Sequence, residues 1–259
     1  MKHVAKKRFG QNFLTDQSVI NSLVEAIAPQ AADLMVEIGP GLGALTKPLL
    51  QKLKQLHVVE VDRDIIAWMQ AEYAKPAYAQ SNILIHNADA LKFDFSSLGQ
   101  GLRVTGNLPY NISTPILFHL LANVSHITDM HFMLQKEVVE RMVAQPSTPA
   151  YGRLSVMLQY HLHMDYLITV PPGAFEPAPK VESAFVRCVP HATLPFIAKD
   201  EAVFAKVVLA AFSQRRKTLR NTLKGLLADE GFSALAIDSQ QRAENLSVGD
   251  FVAIANYLS

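Results

Sequence analysis

Cysteine is almost missing from this chain. Cys188 is the single one among 259 residues, so no intramolecular disulfide can form, and a reducing compartment fits best. Long apolar runs are missing too, none approaching the roughly 20 residues needed to cross a bilayer. The opening Met1-Lys2-His3-Val4-Ala5-Lys6-Lys7-Arg8 has no apolar stretch behind its positive charges, unlike a secretory signal. The expectation is a soluble, cytoplasmic protein with no membrane partner. Charge of one sign is not in excess either: 24 Lys and Arg against 23 Asp and Glu leave a net charge of +1. No internal repeat or low-complexity tract is present, so nothing suggests a solenoid or a biased tail.

What is present is apolar mass and local charge. Apolar residues make up 49% of the chain, enough for a substantial core and against disorder. The near-neutral sum hides two acid-free basic clusters, one of Lys2, Lys6, Lys7 and Arg8, the other of Arg215, Arg216, Lys217, Arg220 and Lys224. Local field matters more than total charge for holding phosphates. The plainer alternative is a solvated helix face and a loose terminus.

Through the middle of the chain, short β-branched runs alternate with helical patterns, the mark of a mostly parallel sheet with helices on both faces. Strands are predicted at Leu34–Ile38, His57–Val61, Ile83–His86, Arg103–Thr105, Met130–Leu134, Tyr166–Val170 and Ala184–Cys188. Helices are predicted at Asp16–Ala28, with Asp16 as N-cap, and near Ala44–Lys54, Asp64–Ala74 and Thr114–Ala122. The proline-rich Pro171–Pro179 cannot be regular helix or central strand and reads as an ordered loop. Beyond Pro195 the pattern is all helical: Glu201–Phe212, then Gln214–Ala228 with Ser213 as a possible cap, then a short terminal helix. In Gln214–Ala228, Arg216 and Arg220 would lie one turn apart, opposite a stripe of Leu219, Leu223 and Leu226.

Four of the strand ends carry chemistry. Val36-Glu37-Ile38-Gly39-Pro40-Gly41-Leu42-Gly43 runs from strand through a glycine turn into a helix, a shape that lets backbone approach a ligand. Glu60 ends the second strand, where a carboxylate can accept from both hydroxyls of a ribose. Both features also occur in dinucleotide sites. The third strand ends at Asn87-Ala88-Asp89-Ala90, so Asp89 can accept from an adenine amine, and the fourth ends at Thr105-Gly106-Asn107-Leu108-Pro109-Tyr110. Taken singly, each acid reads as well as a cap for the following helix. As an ordered set along one sheet edge they point to S-adenosylmethionine and methyl transfer.

Asn107-Leu108-Pro109-Tyr110 says most. The lone pair of an adenine amine is delocalised into the ring, which makes it a poor nucleophile. Two acceptors aimed at its hydrogens, the Asn107 side-chain oxygen and the Leu108 carbonyl, draw the nitrogen toward a tetrahedral shape. Pro109 stiffens the chain and biases Leu108 to an extended conformation. Tyr110 offers a face on which a flipped base can stack, worth about 1–3 kcal/mol. The methyl donor is a good leaving group, so alignment rather than a buried base is expected to drive the reaction. At an arbitrary position the same quartet would be a simple turn.

Gly10-Gln11-Asn12-Phe13-Leu14, Glu37-Ile38-Gly39-Pro40-Gly41, Asn107–Ser113 and Phe175–Ser183 resemble the ribosomal RNA adenine dimethyltransferases, and Phe212–Asn221 is similar to their bacterial small-subunit branch. The resemblance covers nearly the whole chain. It implies an α/β fold: a Rossmann-like, class I S-adenosylmethionine-dependent methyltransferase sheet with a small C-terminal all-helical domain. The boundaries expected are 1–192 for the catalytic domain, with 1–30 as basic arm and helix, and 193–259 for a helical rRNA-binding domain. It further implies dimethylation of two adjacent adenines near the 3′ end of 16S rRNA, within the small ribosomal subunit or its precursor, late in assembly. S-adenosylmethionine would be held by Asn12, Leu14, Gly39, Gly41, Glu60, Asp89 and Asn107. Leu108, Pro109 and Tyr110 would complete the catalytic motif, and Phe175 would sandwich the target base opposite Tyr110. Arg215, Arg216, Lys217 and Arg220 would bind RNA. No metal and no DNA partner are expected, and a monomer is.

His161 and His163 alternate as a metal pair might, but no cysteine or carboxylate completes a ligand set, so they read as ordinary surface residues. Trp68 and Cys188 read as packing residues. Four rivals stand beside the main reading. One is a large-subunit rRNA adenine methyltransferase, which the Gln214–Asn221 segment opposes. Another is a DNA amino-methyltransferase, which would normally carry a separate target-recognition region. The others are a non-catalytic RNA-binding module on the same fold and a nicotinamide dehydrogenase.

Overall fold

The computed structural model describes residues 12–79 and 81–259. The basic cluster of Lys2, Lys6, Lys7 and Arg8, with Gly10 and Gln11, lies outside the described residues. A seven-stranded sheet runs β4-β3-β2-β5-β6-β9-β7. Its strands are β2 (Leu34–Ile38), β3 (Gln55–Glu60), β4 (Asn82–Asn87), β5 (Leu102–Asn107), β6 (Ile127–Gln135), β7 (Leu162–Val170) and β9 (Ser183–Pro190). All seven strands read from the sequence are present, several longer at one or both ends. Pairing is parallel from β4 through β6 and antiparallel between β6 and β9.

The helices between these strands follow from apolar spacing. In α1 (Gln17–Ile27), Ile20, Leu23, Val24 and Ile27 are buried, and the Asp16 carboxylate accepts from the N–H groups of Ser18 and Val19. α3 (Arg63–Tyr73) is capped by Asp62 in the same way. α2 (Thr46–Leu50) is shorter than expected at both ends: Ala44 and Leu45 belong to the preceding turn, and the chain leaves the helix at Gln51. α4 (Ser113–Leu121) follows β5. Within the proline-rich loop, β8 (Phe175–Glu176) pairs antiparallel with β1 (Phe13–Leu14), apart from the main sheet.

The chain forms two compact units that do not follow a single cut at 192/193. One takes the described residues up to Val139 together with Asp165–Pro190, and the other takes Glu140–Met164 with His191–Ser259. The reason lies in two helices that sequence reading passed over, α5 (Lys136–Val143) and α6 (Arg153–His161). Val156 and Tyr160 of α6 belong to the same apolar cluster as Phe204, Val208 and Phe251. Those three come from α7 (Glu201–Ala211) and α10 (Val248–Leu258).

The helix expected over Gln214–Ala228 does not form. Only α8 (Leu219–Thr222) is helical there, followed after a turn by α9 (Asp229–Ala234). The backbone N–H groups of Leu219 and Arg220 donate to Gln241 and Ser239 instead of continuing an earlier turn, and Gly225 takes φ +83°. Thr218, not Ser213, stands at the cap. Of the expected apolar stripe, Leu219 and Leu223 are buried and Leu226 is partly buried. No helix among the described residues is long and apolar enough to cross a membrane.

Candidate active site

The strand order reverses between β2 and β5. The chain runs outward through β3 and β4, then returns to pair β5 against the other side of β2. At such a switch point, loops leave the carboxyl edge in opposite directions and open a crevice. A cavity of about 800 Å³ lies there, within the range of small-molecule sites.

Its floor is the glycine turn. Gly39 and Gly41 take φ +65° and +53°, where a β-carbon would be strained. The Gly39 N–H donates to the Val59 carbonyl at 3.0 Å, tying the turn to β3. Register does the rest: Glu37 pairs with Thr105, which brings the end of β5 beside the turn, and Glu60 pairs with Asn87, which brings Asp89 beside Glu60. Asn12, Leu14, Gly39, Gly41, Glu60 and Asp89 all line the cavity, as do Asn107, Leu108, Pro109 and Tyr110.

The polar groups are held in place. Glu60 is buried, and its Oε1 accepts from the N–H groups of Val61 and Asp62 at 2.8 and 2.7 Å. Asp89 Oδ1 accepts from the Leu91 N–H at 3.0 Å. Asn107 Nδ2 donates to the Asn12 carbonyl at 3.0 Å. A carbonyl can only accept, so that contact fixes which end of the amide is the donor and leaves Oδ1 as the acceptor end. The Leu108 N–H is taken by the Met133 carbonyl at 3.1 Å. The Tyr110 hydroxyl shares a hydrogen bond with Ser183 Oγ at 2.8 Å, and burial pushes its acidity down.

Glu37, which the strand-end motifs contain without giving it a role, is a further residue of the site. It is only 2% exposed and lines the cavity, accepting from Thr46 Oγ1 at 2.6 Å. Burial pushes its pKa up to about 7, with the Thr46 hydroxyl pulling the other way and the charge of Glu60 adding to the rise. The available signal was its position as the one acid inside an otherwise apolar central strand, where both faces are covered.

Phe175 is the residue expected to sandwich the target base opposite Tyr110. It lies in the proline-rich loop, but its ring is only 5% exposed and belongs to the apolar cluster around α1 and β2. It is not among the residues lining the cavity. Its strand pairing with Leu14 draws it into that core. His161, expected at the surface, ends α6 half-buried with its pKa lowered by burial, whereas His163 is exposed.

The four expected RNA-binding cations belong to the second compact unit and are exposed. They are not equivalent. Arg215 donates to the Pro149 carbonyl at 2.6 Å and lies 3.9 Å from Glu244, and Arg220 pairs with Asp229 at 2.5 Å. Arg216 and Lys217 have no such ion pair among the described residues.

This constellation can be set against known proteins. A family model described as ribosomal RNA adenine dimethylase matches residues 2–259. The chain belongs to the ribosomal RNA adenine dimethylase family. Among curated members, "Ribosomal RNA small subunit methyltransferase A" of Methylobacillus flagellatus is 71% identical over the full length of both chains. The protein of the same name from Thiobacillus denitrificans is 60% identical over 99% of each. A dimethyladenosine transferase from Plasmodium falciparum has the same fold, with TM-score 0.77 at 23% identity, over 93% of this chain and 95% of that one. The 23S rRNA methyltransferase ErmE gives 0.74 at 21% identity, over 95% and 99%. The α/β sheet is thus that of a class I methyltransferase, and this adenine dimethylase family member is an enzyme acting on ribosomal RNA.

Proposed function

We propose that the protein transfers methyl groups from S-adenosylmethionine to the N6 amines of two adjacent adenines in the loop of the 3′-terminal helix of 16S rRNA. It does so in the cytoplasm, as a monomer, on the small ribosomal subunit or its precursor, late in assembly. The observation that carries the reading is the convergence on one cavity of the glycine turn, two carboxylates and Asn107, whose amide is oriented by the Asn12 carbonyl. The names of the full-length bacterial relatives favour the small subunit over the large one.

The cavity suits the donor: its volume is about 800 Å³, its turn has glycines where side chains would be strained, and carboxylates stand on adjacent strand ends. When bound, S-adenosylmethionine supplies an electrophilic methyl group on a sulfonium. In this reading Glu60 accepts from ribose hydroxyls, Asp89 accepts from the adenine amine of the donor, and Asn12, Leu14, Gly39 and Gly41 supply backbone and shape. Asn107 Oδ1 and the Leu108 carbonyl accept hydrogen bonds from the two hydrogens of the target amine and localise its lone pair; once methylated, the nitrogen sheds one proton to solvent. Tyr110 stacks on the flipped base. Alignment supplies most of the rate, and no side chain has to act as a strong base. Arg216 and Lys217, with Arg215 and Arg220 beside them, neutralise rRNA phosphates.

The test is a mass map of modified nucleosides on unmethylated small subunits after incubation with enzyme and S-adenosylmethionine. Dimethyladenosine at two adjacent positions near the 3′ end is expected. Modification of naked large-subunit RNA instead would replace this reading with the large-subunit one.

A further inference from the structure

The hydroxyl of Tyr110 has a partner that the reaction as described does not use. Ser183 is the first residue of β9, fully buried, and pairs across the ladder with Gln135 of β6. Its Oγ lies 2.8 Å from Tyr110 Oη. The rest of the quartet is braced as well. Ser113 Oγ donates to the Tyr110 carbonyl at 3.0 Å, and the Ile112 N–H donates to the Pro109 carbonyl at 3.1 Å. The backbone of the turn is therefore held from α4 and the tip of the ring from the sheet. A tyrosine ring fixed only at its backbone can still swing about its first side-chain torsion. A bond at the far end of the ring to a fully buried strand residue removes that freedom.

We propose that Ser183 is a positioning residue that tethers the Tyr110 hydroxyl and so presets the plane of the ring on which the target adenine stacks. Whichever of the two oxygens donates, the bond fixes the far end of the ring. This inference rests on the base-stacking role proposed for Tyr110, and the two can fail separately.

Ser183→Ala and Tyr110→Phe each remove the bond and leave an aromatic ring at position 110. The experiment compares kcat, KM for S-adenosylmethionine and KM for unmethylated small subunits in both variants, their double variant, Ser183→Thr and Tyr110→Ala. All are assayed at a temperature where circular dichroism shows every variant folded. Each single variant should lose on the order of ten-fold in kcat, as expected when alignment sets the rate. KM for S-adenosylmethionine should stay unchanged, and the double variant should be no worse than either single one. Ser183→Thr, which keeps a hydroxyl, should recover most of the loss. Because Tyr110→Phe leaves β9 untouched, its loss cannot come from a disturbed strand. Multiplying losses in the double variant, or wild-type kcat in Ser183→Ala, would overturn the tether. Wild-type turnover in Tyr110→Ala would instead remove the stacking role itself.

Discussion

Asn107 is one amide whose two ends have different tasks. Its Nδ2 is committed to the Asn12 carbonyl at 3.0 Å, which leaves the oxygen as the acceptor for an amine. Asn107→Ala removes that acceptor and should lower kcat by at least about 100-fold, comparable to deleting a preorganised polar group elsewhere in catalysis. Binding of small subunits, measured by filter retention, should be largely unchanged, and wild-type turnover would take Asn107 out of the chemistry. Glu37 offers a separate prediction. Its folded pKa is raised by burial from the ordinary 4.5 to about 7, so between those values the folded chain holds a proton that the unfolded chain has released. Stability from this group is fully present below about pH 4.5 and is lost as pH rises through about 7. In Glu37→Gln that loss should vanish. The difference between the two denaturation profiles should grow across that same pH window and then level off, and parallel profiles would refute the shift. Burial of this acid, the main cause of its raised pKa, could have been read from its apolar strand, but the smaller opposing effects of Thr46 and Glu60 could not, because they depend on which groups arrive beside it.

At the level of elements, the site depends on how closely β2 and β5 approach. A β-carbon at Gly106 would sit 2.4 Å from the Ile38 carbonyl oxygen, so Gly106→Ala must spread the two strands just below the cavity. Overpacking of this kind costs about 1–3 kcal/mol. The thermal midpoint should fall, and calorimetry should show weaker S-adenosylmethionine binding. At the opposite end of the same strand, Arg103 is a clamp. Its guanidinium bonds Asp129 at 2.8 Å, Asp33 at 2.6 Å and the Ile27 carbonyl at the end of α1 at 2.6 Å. Arg103→Met strands two largely buried carboxylates and should cost about 3 kcal/mol by chemical denaturation. Strand positions were legible from β-branched runs, and so was α1, because period and capping are local. The clamp was not, since Asp33, Arg103 and Asp129 are far apart along the chain.

Over the whole molecule, a net charge of +1 leaves RNA affinity to where the cations stand. Arg216 and Lys217 are exposed, while Arg215 and Arg220 are partly engaged by Pro149, Glu244 and Asp229. Reversing both of the former, Arg216→Glu with Lys217→Glu, should weaken small-subunit binding. It should also flatten the plot of log affinity against log salt by about 0.7–0.9 for each phosphate no longer neutralised. Arg220→Gln should change the slope less. Equal slopes in all variants would assign RNA binding to other cations.

The sequence alone determined where the strands lie along the chain, the glycine turn, the acids at successive strand ends and the amine motif, because each depends on a short stretch of neighbouring residues and the period of its backbone. Tertiary structure alone decided that Gln214–Ala228 breaks into turns, that Phe175 is drawn into the core, and that α5 and α6 lead into a unit completed only by the C-terminal helices. Those outcomes turn on contacts between distant segments, such as the Leu219 N–H bonding Gln241 and Leu14 pairing with Phe175. A distant carbonyl or a distant apolar surface outweighs the local preference there, and local pattern holds no record of which distant group will arrive.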